Sequence, residues 1–210
     1  MDLAQPLSPK RSRAGAVIPP ALLVLLSLGI VGYALVTATF SKFPPPVAAN
    51  TAGLVTLTLH ASFAAVALLI GPFQFMPAMR SRHRRLHRWM GRLYCAVCLI
   101  GGVAGGALAW GTTSGPVARY GFLGLSIAWL ACTALAWASA VSADFANHRR
   151  WMVRSFSLTF AAVTLRLYLP ISLASGLRFE DAYPVIAWAC WVPNLMFAEW
   201  WLRRTPRIRA

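Results

Sequence analysis

Arg80–Arg92 reads RSRHRRLHRWMGR, and its position between two long apolar runs decides the fold. It holds six of the twenty Lys/Arg residues and two of the four histidines. A second stretch echoes it. His87-Arg88-Trp89-Met90-Gly91-Arg92 and His148-Arg149-Arg150-Trp151-Met152-Val153-Arg154 both read His-Arg-Trp-Met-x-Arg, allowing one inserted Arg. Each opens an apolar run just after a polar connection. The pair therefore reads as two equivalent corners of one membrane bundle.

Working outward, the flanks are apolar almost throughout. Hydrophobic residues make up 58% of the 210, charged residues only 12%, and the mean hydropathy is +0.60. Soluble domains carry about twice that charge. Runs of about twenty apolar residues recur, which is the length that crosses a bilayer as a helix. Six such spans are legible: Val17–Thr39, Ala52–Phe73, Trp89–Trp110, Tyr120–Val141, Trp151–Ser172 and Tyr183–Leu202. Residues 1–15 read as a disordered cytoplasmic tail, and residues 16–210 as a single transmembrane bundle. The first run lacks a small-residue cleavage site and reads as a retained anchor. Pro44-Pro45-Pro46 breaks the helix at the far end of that run.

The net charge of +15 does not point to nucleic acid, because the basic residues are confined to short connections between the spans. With six spans, sixteen of the twenty Lys/Arg fall on one side and Lys42, Arg119 and Arg178 on the other. Arg166 lies between, within the membrane. That asymmetry predicts an N-in, C-in topology. Trp89, Trp151, Trp200 and Trp201 mark the inner boundary, and Trp110, Tyr120 and Tyr183 the outer one. The echo also suggests that spans two–three and four–five are related hairpins. Arg and Trp both favour the inner boundary, so a chance likeness explains the motif as well.

Ionisable groups inside a membrane are costly and face the bundle interior. At about 1.5 Å per residue, His60 lies about 12 Å and Arg166 about 9 Å from the outer ends of their spans. The sequence thus predicts that they share an outward-facing polar pocket, with Arg166 suited to an anionic head group. An Arg snorkelling outwards is the competing account. On the inner side, Arg154 and Glu199 each lie about one turn from a helix end and are predicted to pair. His83 sits in the connection and reads as solvated. Gly101, Gly102, Gly105 and Gly106 give the third span a flat face, for another backbone or a flat ligand.

His87 and His148 open the third and fifth spans at one depth. They suit the two axial positions of a b-type haem, with Arg88, Arg92 and Arg149 near its propionates. A quinone or proton-relay site uses the same groups. Lipid phosphate bound within the basic connections is the third use. Cys95, Cys98, Cys132 and Cys190 all lie within apolar runs, either as small buried hydrophobes or, for Cys95-x-x-Cys98, as a metal or redox pair. No paired carboxylates, nucleotide loop or nucleophile–base motif appears.

Several motifs in order resemble a known family. They are the two basic stretches, continued as Leu93-Tyr94 and Ser155, then Leu158-Thr159-Phe160-Ala161-Ala162-Val163-Thr164-Leu165-Arg166-Leu167-Tyr168-Leu169-Pro170, then Trp191-Val192-Pro193-Asn194-Leu195. Over roughly residues 52–202 the chain is similar to a prokaryotic multi-pass membrane group known only as a domain of unknown function, DUF2306. The resemblance implies a bacterial inner-membrane protein and no established activity. Histidine placement alone gives a weaker likeness to the four-helix haem-binding cores of the cytochrome b and ferric-reductase superfamily. The sequence-based expectation is therefore a six-helix bundle with a four-helix core from spans two to five. Its function is either b-type haem electron transfer, with a quinone or other redox partner, or non-catalytic binding of a lipid or small amphiphile by His60 and Arg166.

Overall fold

The computed structural model describes residues 20–39, 47 and 49–204. The tail at 1–15, Val17, the triple proline at 44–46, and Arg207 and Arg209 lie outside the described residues. Among the described residues the regular elements are helices: α1 (Pro20–Thr39), α2 (Gly53–Gln74), α3 (Pro77–Ser81), α4 (Arg84–Trp110), α5 (Gly115–Val141), α6 (Phe145–Thr159), α7 (Ala161–Ala174), α8 (Phe179–Ala189) and α9 (Val192–Arg204). Among the described residues, four helical runs are long and apolar enough to cross a membrane: α2, α4, α5 and Phe145–Ala174, which joins α6 to α7.

The segment expected as a sixth span is two helices. Its break falls at Cys190–Trp191, where Pro193 supplies no N–H to the carbonyl four residues back. Facing it, the α6–α7 run is interrupted at Phe160. One side chain spans both breaks. Asn194 Nδ2 lies 3.0 Å from Cys190 O, 3.2 Å from Thr164 Oγ1 and 3.3 Å from Ser157 O. The Thr164 hydroxyl in turn donates to Cys190 O. Carbonyls released by the interruptions are thereby satisfied without water.

Helix α4 packs between α2 and α5, α5 packs on α6, and α2 also touches α6. These four form the core. Helix α8 lies against α5 and α7, α9 against α6, and α1 against α2 and α7. At the end away from the basic stretches, Asn50 Nδ2 donates to Leu108 O (2.8 Å) and Thr51 N to Gly111 O (3.0 Å). A Cβ on Gly111 would come within 2.8 Å of the Ala52 nitrogen, so this junction requires glycine.

The core contains a hydroxyl cluster. Tyr94 is fully buried. Its hydroxyl lies 3.1 Å from Ser155 Oγ and 2.8 Å from Thr159 Oγ1. Ser155 bonds Thr133 at 2.8 Å, and Trp129 Nε1 donates to Thr159 Oγ1 at 2.9 Å. These contacts join α4, α5 and α6. Large apolar side chains point outward instead, among them Val55, Val103, Ile127 and Val141. That inversion suits a lipid surround, where the outer face needs no polar groups.

Gly71 of α2 is the closest approach to α6. A Cβ there would meet Phe156 Cε2 at 2.4 Å. The ring cannot swing aside freely, because Phe75 and Phe160 flank it with centroids at 5.4 and 6.3 Å. Gly71→Ala is expected to destabilise by about 1–3 kcal/mol, read as a lower thermal midpoint in detergent. Gly32→Ala, with open space around it, is the control expected to show no loss.

Candidate functional site

A cavity of about 550 Å³ lies in the half of the bundle remote from the basic stretches. Helices α1, α2, α4, α5, α6, α7 and α8 all contribute to its wall, and its polar lining includes His60, Ser126, Trp129, Thr159, Arg166 and Tyr183. The depth arithmetic brought His60 and Arg166 to similar levels, and both line this chamber. Arg166 lies within electrostatic range of both His60 and Tyr183. No Asp or Glu is among the described lining residues.

The glycine face of α4 has a definite occupant. His60 Nδ1 donates to Gly101 O at 2.8 Å. A carbonyl only accepts, so the proton sits on Nδ1 and Nε2 keeps the lone pair. A Cβ on Gly105 would fall 2.9 Å from that same Nδ1. Gly102 similarly makes room for Leu130, and Ser126 Oγ donates to Gly102 O at 2.8 Å. The flat face thus seats an imidazole and two neighbouring side chains. Arg166 Nη1 donates to Ala162 O at 3.0 Å, one turn back on its own helix.

The basic end holds the other candidate residues. His87 and His148 are each the fourth residue of their helices, α4 and α6. They lie within electrostatic range of one another. His148 Nδ1 donates to Ala136 O at 2.9 Å, leaving Nε2 with its lone pair, whereas His87 Nδ1 is buried without a partner. Neither histidine lines the large cavity. One to two turns deeper, Tyr94 and Ser155 already bridge α4 and α6 directly. Arg88 and Arg92 are exposed, with Arg92 over the Trp89 ring at 5.1 Å. Arg149 is half-buried beside Trp201, 5.6 Å from its ring centroid. His83 is exposed and the four cysteines are buried.

Arg154 and Glu199 form a two-point ion pair between α6 and α9. The Nε donates to Oε1, and Nη2 to Oε2 at 3.1 Å. The same guanidinium stacks 4.5 Å over Trp151. Gln74 carries no signal that sequence reasoning could use. It is 5% exposed at the end of α2, and its Nε2 has no partner.

The chain matches the family described as "Predicted membrane protein (DUF2306)" over residues 57–202. It belongs to that family. No curated protein and no solved structure matches the chain. What this DUF2306 protein does must therefore be argued from its own residues.

Two expectations follow for the basic end. The Arg154–Glu199 pair is mostly shielded, so Glu199→Gln leaves a guanidinium short of its counter-charge. The expected loss is about 1–3 kcal/mol, below the fully buried case because Glu199 is 32% exposed. Detergent thermal midpoints of Glu199→Gln and Arg154→Gln check it, and both should fall. The second concerns Asp144, the N-cap of α6. The backbone N–H of Asn147 (3.0 Å) and its side-chain amide (2.7 Å) hold the Asp144 carboxyl below its ordinary 3.8. A depressed carboxyl stabilises its turn fully above the unfolded value and less as pH falls through the lower folded one. Amide protection at Asn147 is expected to drop on acidification below about pH 4, with Asp144→Asn removing that dependence.

Proposed function

We propose that this DUF2306 protein is a non-catalytic membrane protein that holds an amphiphile with an acidic head group in the His60–Arg166 cavity. One observation carries the reading: His60 and Arg166 converge in one largely apolar chamber, with no Asp or Glu among its described lining residues. Arg166 supplies the charge for the head group, through a guanidinium that stays ionised in low dielectric. His60 Nε2 accepts from a hydroxyl of the ligand. The apolar walls take the first part of its tail, and about 550 Å³ lies within the range of small-molecule sites. The same proposal places the chain in the bacterial inner membrane with six spans. The basic end then faces the cytoplasm and the cavity the opposite leaflet, following the Lys/Arg asymmetry.

Haem held between His87 and His148 is the rival proposal. The free Nε2 of His148, oriented by its bond to Ala136 O, supports it. Space supports the amphiphile instead, since the roomy cavity is lined by neither histidine. A quinone in that cavity is the third ligand class, with no charge for Arg166 to meet.

Native mass spectrometry of detergent-purified protein tests the reading. Retained acidic lipid should fall about tenfold in Arg166→Gln, and more weakly in His60→Ala, with thermal midpoints showing that both fold. Unchanged retention in a folded Arg166→Gln would overturn it. Sharp dithionite-reduced bands that vanish in His87→Ala and His148→Ala would favour the rival.

A further inference from the structure

The basic end gathers many donors and cations, and its described carboxylates, Glu199 and Asp144, are already engaged. Gln74 Nε2 and His87 Nδ1 are both buried and both lack a partner. Gln74 lies against Gly91 of α4, with its Oε1 3.5 Å from where a Cβ would stand. Gly91 follows His87 by one turn on the same helical face. Arg80, from α3, lies within electrostatic range of both His87 and Arg149, and His148 within range of His87. Three further basic groups, Arg80, His148 and Arg149, thus lie in the neighbourhood of the two unmet side chains.

The carboxylates of the described residues are engaged or distant. Glu199 is held by Arg154, and Asp144 by Asn147. Asp181 pairs with Arg178, and it and Glu180 sit in the first turn of α8 at the opposite end. Buried donors left unmet are rare in folded proteins, and like charges gathered without a counter-charge repel. One missing species answers both: an anion rich in acceptor oxygens.

We propose that Gln74 and His87, with Arg80 and Arg149 at the mouth, form a second binding site, for a phosphate-type oxyanion. The Gln74 amide and the His87 ring N–H donate to its oxygens. Arg80 and Arg149 neutralise its charge, and their separation is set by α3 and the start of α6. Two sources share this chemistry, a phospholipid head group reaching the bundle end and free inorganic phosphate. The site is distinct from the His60–Arg166 cavity, which lies in the other half of the bundle.

The test uses the full chain in nanodiscs of phosphatidylcholine with or without one-fifth phosphatidylglycerol, together with inorganic phosphate as a separate probe. Phosphatidylglycerol bound to the wild-type protein should survive ejection, and Arg149→Gln and Gln74→Leu should each cut it about tenfold. Arg82→Gln removes an exposed charge from the same region and should leave it unchanged, and the losses in Arg149→Gln and Gln74→Leu should persist in an Arg166→Gln background, where the cavity ligand is already lost. If inorganic phosphate raises the thermal midpoint with the same variant dependence, the free ion is the source. If only phosphatidylglycerol does so, the head group is. The proposal fails if phosphatidylcholine is retained equally, or if Arg82→Gln lowers retention as much as Arg149→Gln, which would mean diffuse attraction. It also fails if neither Arg149→Gln nor Gln74→Leu has an effect, or if His87 ligates haem by the spectral test. Should Gln74→Leu not fold, Arg149→Gln against Arg82→Gln decides alone. Loss on Arg166→Gln with none on Arg149→Gln would sustain the cavity reading and sink this one.

Discussion

A polar group inside a bilayer has to find its partner within the protein, and the Tyr94 hydroxyl is where this chain meets that demand. It links Ser155 and Thr159 of α6, and through them Thr133 and Trp129 of α5. Apolar contact cannot select a register among helices already surrounded by lipid tails, so directional bonds and close-fitting glycines have to do so. Each bond in such a cluster is worth about 1 kcal/mol or less within a membrane. Its importance lies in fixing how α4, α5 and α6 are rotated about their axes. That rotation brings His60 to the Gly101–Gly105 face and Thr159 and Trp129 to the cavity wall.

Depth was legible in the sequence; rotation was not. Counting residues from span ends placed His60 with Arg166, paired Arg154 with Glu199 and set His87 level with His148, because rise per residue is nearly constant. Which way a side chain points around its helix depends on partners that may be sixty residues away. Hence Tyr94 passed as one apolar residue among many, and the buried amide of Gln74 gave no signal. The glycine face was recognised as a close-packing surface, and α2 packs on it: the Ala64 backbone nitrogen lies 3.6 Å from where a Gly101 Cβ would stand, and the His60 ring fills the space beside Gly105. The apolar run 183–202 read as one helix, since hydropathy does not register the lost N–H of Pro193. Of the three arginines expected near haem propionates, Arg88 and Arg92 are exposed and Arg149 is drawn partly into the packing.

The two halves of the bundle solve opposite electrostatic problems. In the remote half one guanidinium stands in an apolar chamber, and the surrounding low dielectric strengthens its attraction for an anion. In the basic half several cations are crowded where water and head groups can screen them. The Arg154–Glu199 contact offsets part of that crowding from within the described chain, and it ties α9 to α6. With so few acids, the protein relies on its surroundings for most of its counter-charge.

Asn194 fastens the interruption at Phe160 to the one at Cys190–Trp191 through a single amide group. Helices α7 and α8, which carry Arg166 and Tyr183, both hang from that fastening. Two chain segments that would otherwise pivot independently are therefore geared together. A tilt of α7 that displaced Arg166 would drag α8 with it, so the guanidinium and the tyrosine would approach or leave a guest in step.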